Sequence, residues 1–300
     1  MASTFSRASL CSVGILLGAA GSARADLYGI RFAERGPLYR IDEVTGASTR
    51  VGFTEIVNPG GLDLGADGML YTFSRETQTV YRVDPATAAA TAIGAMGIEF
   101  QLEGGLAVDS ATSAYAVAGF VENDIIVQES VVMRVDLTTG AATEIGRVDL
   151  PDLSGITIRS DGMLVVFSAG SGTFYEVDPV TLAYTPIVTT FISASAAGLT
   201  SDGTTGYLHN ADDLYTVNLF TGEGEALSTT GRVDISGLAV APTDVCAADC
   251  DGSGTLNLDD IACFAGAFIG GDLAADCDGS GTLNLDDIEC FATGFIAGCP

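Results

Sequence analysis

Short alternations of apolar and polar residues, separated by turn residues, run from Asp26 to about Ala241. One phrase occurs five times: an apolar residue, Tyr or Met, any residue, Val or Ile, Asp or Asn, and then a Thr. Its copies are LYRIDEVTG (38–46), VYRVDPATA (80–88), VMRVDLTTG (132–140), FYEVDPVTL (174–182) and LYTVNLFTG (214–222). A second phrase, a Gly followed by an apolar alternation, precedes most copies and returns as SGLAVAP at 236–242. The period-2 pattern and its Asp-Gly, Thr-Gly and Asp-Pro turns predict four short strands per unit.

Repeats of about 40 to 50 residues with four strands each are typical of a β-propeller. Five phrases predict an all-β, five-bladed propeller over residues 26–241. The final copy of the second phrase, at 236–242, supplies an inner strand with no outer strands after it. The first unit, in contrast, has outer strands but no inner strand before it. Joining the two completes a blade and removes exposed sheet edges. A β-sandwich or an open β-solenoid is the alternative.

The C-terminal residues follow a helical pattern. Residues 248–261 recur almost letter for letter at 275–288, a shift of 27. After each copy, apolar residues fall at i, i+3, i+7 and i+8, which predicts one amphipathic helix per repeat. These stripes are Ile261, Phe264, Phe268 and Ile269, then Ile288, Phe291, Phe295 and Ile296. We expect the stripes to face each other in a small α module at 246–300, joined to the propeller by a linker at 242–245.

The first 25 residues read as a secretory signal, with Arg7, an apolar run at 10–20 and a small-x-small site at 23–25. The apolar run is too short to span a bilayer, which takes about 20 residues. The sequence therefore predicts a secreted, extracellular or cell-surface protein that is not transmembrane.

Charge narrows the possible functions. The formal net charge is −27, all 12 basic residues are Arg, and no Lys occurs. So acidic a surface repels nucleic acid and anionic membranes. Without Lys no lysine Schiff base can form, and the single His209 leaves little material for a His-based triad or zinc site. After Arg232 no basic residue occurs, whereas eleven acidic ones follow Pro242, so the tail needs an external cation.

The repeated tail motif has the ligand spacing of an EF-hand loop, with oxygen donors at positions 1, 3, 5, 7, 9 and 12 and Gly at position 6. Two such motifs in register predict two Ca²⁺ sites. The first loop has Asp249, Asp251, Ser253, the carbonyl of Thr255, Asn257 and Asp260. The second has Asp276, Asp278, Ser280, the carbonyl of Thr282, Asn284 and Asp287.

Six of the seven cysteines lie in the last 55 residues. An even number in a small exported module predicts a disulfide framework. By repeat symmetry Cys250 matches Cys277 and Cys263 matches Cys290, which leaves Cys246 and Cys299 to join the ends. Pairing within a repeat and pairing between repeats both remain open.

The paired loop-helix motifs over residues 246–300 resemble the dockerin family. The resemblance implies a calcium-dependent module that docks its protein onto a cohesin-like or other scaffold or surface protein, with a link to polysaccharide catabolism. Loop positions 10 and 11, where the family often carries a small polar pair that contacts cohesin, are Leu258-Asp259 and Leu285-Asp286 here. The basic residues often found along the family's helix are missing.

The propeller's own role has two interpretations. Polar residues precede the predicted inner strands at Asn58, Glu103, Asp152 and Asp234, and an acidic ring there would resemble the central metal site of lactonase-like propeller hydrolases or lyases. We favour a non-catalytic propeller, with a carbohydrate as a possible ligand, because no catalytic constellation stands out. His209 is expected to be a surface or packing residue. Recurrent tyrosines at one blade position indicate packing: Tyr39, Tyr81, Tyr175 and Tyr215.

Overall fold

A computed structural model describes residues 27–43, 45–123, 125–190, 197–232, 234–240, 248, 250, 256–272, 275–277 and 282–297. The expected signal (1–25) and linker (242–245) lie outside these residues. Within them, twenty strands form five antiparallel sheets of four strands each.

The five sheets are the blades of a propeller, numbered here along the chain. Blade 1 contains β1 (Leu27–Arg31), β2 (Pro37–Ile41), β3 (Ser48–Phe53) and, as its inner strand, β20 (Ile235–Val240). Blade 2 contains β4 (Pro59–Leu64), β5 (Leu70–Ser74), β6 (Thr79–Val83) and β7 (Ala90–Ala95). Blade 3 contains β8 (Gly105–Ser110), β9 (Ser113–Glu122), β10 (Ile125–Asp136) and β11 (Ala142–Val148). Blade 4 contains β12 (Leu153–Ile158), β13 (Leu164–Ser168), β14 (Thr173–Val177) and β15 (Tyr184–Thr189). Blade 5 contains β16 (Ala197–Ser201), β17 (Thr205–Asn210), β18 (Asp213–Asn218) and β19 (Gly224–Thr229).

The ring closes as expected, through strands from both ends of the propeller sequence. β20 pairs antiparallel with β1, with Leu27 opposite Val240 and Gly29 opposite Leu238. The five-bladed propeller is therefore confirmed, and the sandwich and solenoid alternatives are excluded.

Inner-strand glycines bring neighbouring blades into backbone contact. A Cβ at Gly237 would lie 2.5 Å from the carbonyl carbon of Gly61, and one at Gly61 would lie 2.4 Å from the nitrogen of Leu106. The Gly of the second repeated phrase is therefore required by this close approach. The axis of the ring is correspondingly narrow: even β12 and β20, which are not neighbours, approach within 8 Å between Cα atoms.

The first repeated phrase encodes the turn between the third and fourth strands of a blade. In blade 3, Oδ1 of Asp136 accepts from the backbone N–H groups of Thr138 (2.7 Å) and Thr139 (3.3 Å). The N–H of Gly140, in the left-handed region at φ 79°, donates to the carbonyl of Asp136 (2.8 Å). Asp or Asn followed by Thr suits this turn because the short side chain satisfies the backbone donors.

Apolar residues fill the spaces between blades. Phe73 packs edge-on against Phe100 with ring centroids 5.4 Å apart, and Phe167 lies 4.9 Å from Phe174. The recurrent tyrosines lie in or against these inter-blade clusters, as the packing interpretation predicted.

The tail contains the two expected helices, α1 (Leu258–Gly270) and α2 (Leu285–Ala297). The rings of Phe264 and Phe291 stack between them, with centroids 4.1 Å apart. The expectation that both whole stripes face each other is wrong, because the isoleucines stay exposed: Ile261 by 41%, Ile288 by 40%, and Ile269 and Ile296 by 86% each. The two helices bury Phe264 and Phe291 against each other and leave Phe268 and Phe295 half-buried. Neither helix is long and apolar enough to cross a membrane, and the same holds throughout the described residues.

Two disulfides settle the pairing of four cysteines. Cys250 bonds Cys263 and Cys277 bonds Cys290, each across 13 residues, so these bonds form within a repeat. Cys246 and Cys299 lie outside the described residues.

Candidate functional site

The C-terminal edge of each predicted calcium loop is built in the same way in both repeats. Asp260 and Asp287 are fully buried. Oδ2 of Asp260 accepts from the N–H of Asn257 at 2.8 Å, and Oδ2 of Asp287 accepts from that of Asn284 at 2.7 Å. Each Asn side chain in turn accepts from the backbone N–H two residues on, at 2.7 Å in α1 and 2.6 Å in α2. Reciprocal capping of this kind fixes the start of a helix and holds an acidic group at its positive end.

A buried carboxylate that stays ionised is stabilised by hydrogen bonds together with an opposite charge or a metal ion. No Arg, Lys or His follows Arg232, so the module contains no cationic side chain to neutralise Asp260 and Asp287. Ca²⁺ prefers oxygen ligands, and the motif offers only oxygen donors at the ligand positions. The residues present therefore fit a hard divalent cation.

The structure describes half of the twelve predicted calcium ligands. Those described are Asn257, Asp260, Asp276, Thr282, Asn284 and Asp287. The others lie outside the described residues, namely Asp249, Asp251, Ser253, Thr255, Asp278 and Ser280. The two Ca²⁺ sites therefore stay a prediction.

Each disulfide spans positions 2 to 12 of one predicted calcium loop. Cys250 occupies loop position 2, and its partner Cys263 lies in α1 three residues beyond position 12. Cys277 and Cys290 repeat this arrangement. A covalent ring around the loop reduces the conformations that it can adopt before a cation binds.

At the mouth of the propeller, backbone geometry explains three of the four polar candidates. Asn58, Asp152 and Asp234 have φ values of 47°, 49° and 59°. Their carbonyls accept from the N–H groups of Arg75 (3.0 Å), Ala169 (2.9 Å) and Phe32 (2.8 Å) respectively. Each donor directly follows the strand that pairs with the inner strand of its blade. Asn and Asp tolerate the left-handed region better than most residues. The repeated residue type is therefore accounted for without a metal.

Glu103 is different, because the equivalent position in other blades is occupied by a buried apolar residue, namely Pro59, Leu153 or Ile235. Its Oε2 is buried and has no hydrogen-bond partner among the described residues. Burial, and next the charge of Asp152, raise the pKa of Glu103 to about 8. The carboxyl is therefore mostly protonated at pH 7.

The remaining mouth carboxylates have other surroundings. Burial raises the pKa of Asp152, and Asp234 lies 3.5 Å from Nη2 of Arg31 in a half-exposed ion pair. In the described part of the chain, which includes all four candidates, no group of three or more His, Cys, Asp or Glu side chains is arranged to hold a metal ion. The catalytic assignment of Asn58, Glu103, Asp152 and Asp234 stays a hypothesis.

His209 lies in β17 and is fully buried, so of its two expected roles packing is confirmed and a surface position is wrong. Its Nε2 lies 2.9 Å from Oγ1 of Thr230, in the segment that leads from blade 5 back to blade 1. Burial lowers the pKa of His209 to about 4. The imidazole is therefore neutral at pH 7 and contacts the segment that leads to the ring closure.

One surface was not predicted from the sequence: an apolar groove of about 530 Å³ between α1 and α2. The helical spacing of its residues was recognisable, but it suggested a core rather than an exposed face. The groove is lined by Ile261, Phe264, Ala265, Phe268, Ile269, Ile288, Phe291, Ala292, Phe295 and Ile296.

Comparison with known proteins does not place this chain in a family. No family model and no curated protein matches the chain. Among solved structures, one titled "Crystal structure of Nidogen/Laminin Complex" aligns with a TM-score of 0.49 and 11% identity, over 73% of this chain and 99% of that one. So distant a likeness carries no argument about fold or function.

Proposed function

We propose that this is an exported β-propeller whose C-terminal module folds around two Ca²⁺ ions and docks the protein onto a scaffold or cell-surface partner. The observation that carries the proposal is the pair of fully buried aspartates, Asp260 and Asp287, in a module with no basic residue. Two disulfides suit an exported protein, since such bonds persist in oxidising compartments. The resemblance to dockerins supplies the docking role and the link to polysaccharide catabolism.

Calcium should contribute much of the module's stability, because two helices bury too little apolar surface to fold firmly alone. At 100 times its dissociation constant, a bound ion adds about 2.7 kcal/mol per site. The test is thermal unfolding of the oxidised chain from residue 26, followed by far-UV circular dichroism in CaCl₂ and in excess EGTA. We expect EGTA to lower the melting temperature of the helical signal; identical melting curves would remove support for calcium-dependent folding.

A second candidate function is a hydrolase or lyase acting on a carbohydrate or lactone at the propeller mouth. Glu103 favours it, because a carboxyl that is protonated at pH 7 can act as a general acid. The test is to assay the chain against a panel of lactones and oligosaccharides. If Glu103 is the general acid, turnover should disappear in Glu103→Gln while the fold is kept. Turnover that survives this substitution would exclude Glu103 from the chemistry.

A further inference from the structure

The groove between α1 and α2 is symmetric. Equivalent residues of the two repeats are exposed to the same extent, Ile261 and Ile288 by 41% and 40%, and Ile269 and Ile296 by 86% each. Below them, Phe264 and Phe291 form an apolar floor that is almost completely buried. None of the described residues covers the groove. Contiguous apolar surface with a polar rim is typical of interaction sites, whereas single exposed apolar residues need no explanation.

Charge decides which occupant suits the groove. The same helices expose Asp259, Asp286 and Glu289, and no basic residue occurs anywhere in the module. A second copy of the module would bring two acidic modules together, and an anionic membrane would be repelled for the same reason. A protein surface that surrounds an apolar ridge with Lys or Arg complements both the apolar groove and the acidic module that contains it.

We propose that this groove is the module's docking surface and that it receives an apolar side-chain ridge flanked by Lys or Arg on a partner protein. The inference rests on the proposed docking function and names the surface and the partner's chemistry. It places recognition on the exposed isoleucines of the helices, with Phe264 and Phe291 as a rigid floor. Buried apolar anchors at the centre of an interface carry most binding energy, whereas rim charges mainly speed association and select partners.

An alternative surface lies at loop positions 10 and 11. Leu258 and Leu285 occupy position 10 of the two loops and are each 78% exposed. They are not among the residues that line the groove. Substitutions at these leucines therefore separate recognition by the loops from recognition by the groove.

The test uses the full chain from residue 26, oxidised and calcium-loaded, in about 0.15 M salt so that long-range attraction is screened. The probes are two labelled 18-residue amphipathic helical peptides with the same Leu and Phe stripe, one with Lys and one with Glu at every polar position. Binding is measured by fluorescence polarisation. The variants are Ile269→Ser with Ile296→Ser for the groove, Leu258→Ser with Leu285→Ser for the loops, and Val180→Ser as a control. Val180 is 84% exposed in the propeller and matches the groove isoleucines in exposure.

We expect the Lys peptide to bind and the Glu peptide to bind at least 10-fold more weakly. The groove variant should bind the Lys peptide at least 10-fold more weakly than the unmodified chain, whereas the loop and Val180 variants should stay within 2-fold. Equal binding by the groove variant, or a loss confined to the loop variant, would overturn the proposal. So would a groove-dependent dimer in light scattering, which would make a second copy the occupant. Calcium uptake is measured on the same samples, so that calcium binding without peptide binding rejects the groove and leaves the calcium module intact.

Discussion

Glu103 provides a test of the propeller mouth, since its carboxyl replaces an apolar residue at a position that is buried in other blades. Burial raises its pKa from 4.5 to about 8. The folded chain therefore keeps a proton at pH 7 that the unfolded chain has released. One pKa unit corresponds to about 1.4 kcal/mol, and pH 7 lies 2.5 units above the unfolded pKa, so the cost at pH 7 is about 3 kcal/mol of unfolding free energy.

The sign follows from the proton balance. A carboxyl whose folded pKa exceeds its unfolded pKa costs no stability below about pH 4.5, and its cost grows as the pH rises towards 8. Glu103→Gln keeps the shape of the side chain and removes the titration, so its stability should depend less on pH. Glu103→Leu restores the apolar residue type of Leu153 and should be more stable than the unmodified chain at pH 7.

The assay is urea unfolding between pH 5 and pH 7.5, followed by tyrosine near-UV circular dichroism. All nine tyrosines lie between residues 28 and 215, so this signal reports the propeller and not the tail. Burial also raises the pKa of Asp63, to about 7, but that contribution is common to all variants and cancels in the difference. The difference in unfolding free energy between Glu103→Gln and the unmodified chain should widen by about 3 kcal/mol from pH 5 to pH 7.5. Equal pH dependence of the unfolding free energy in the two chains would show that Glu103 does not titrate with a raised pKa. The control is Glu99→Gln, which removes an exposed carboxyl from the same loop.

Three further predictions concern other contacts. Gly237→Ala should destabilise the propeller by about 1–3 kcal/mol in urea unfolding, because its Cβ would lie 2.5 Å from the backbone of β4. Gly266→Ala is the contrasting case, because no atom lies within 4 Å of its Cβ, and it should stabilise α1 by up to about 1 kcal/mol. Burial lowers the pKa of His209 to about 4, so the stability that the neutral imidazole contributes is lost as the pH falls from 6.5 to 4. His209→Gln should therefore lose less unfolding free energy over that range, as measured by the tyrosine signal. Replacing Cys250 and Cys263 together by Ala should lower the stability of the helical signal by about 2–4 kcal/mol and leave the tyrosine transition unchanged; an unchanged helical transition would show that this disulfide does not stabilise the module.

The propeller could be predicted because its sequence signals are local. The turn at Asp136 depends on one side chain and the next few backbone N–H groups, and it returns in every blade. The glycine exemplified by Gly237 recurs because each inner strand touches the next. Repetition of both signals fixed the number of blades, and the unpaired first and last units indicated how the ring closes.

What the sequence left open depends on distances between segments. Helical periodicity identified Ile269 and Ile296 as apolar positions, but only the packing of α1 against α2 shows that they remain exposed. Disulfide pairing needs the distance between a loop and its helix, which repeat symmetry alone does not give. At the mouth, Asn58 and Asp152 have residue types that suit both a metal site and a left-handed backbone, and φ is not readable from the residue type.

The most direct test of the central claim is isothermal titration calorimetry of the oxidised, metal-free chain from residue 26 with CaCl₂. We expect two Ca²⁺ ions to bind per chain. Asp260→Asn with Asp287→Asn should abolish or strongly weaken this uptake, whereas Asp272→Asn, an exposed tail carboxylate outside both loops, should retain it. Absence of calcium uptake by the unmodified chain, or full uptake by the double variant, would contradict calcium binding at these two loops.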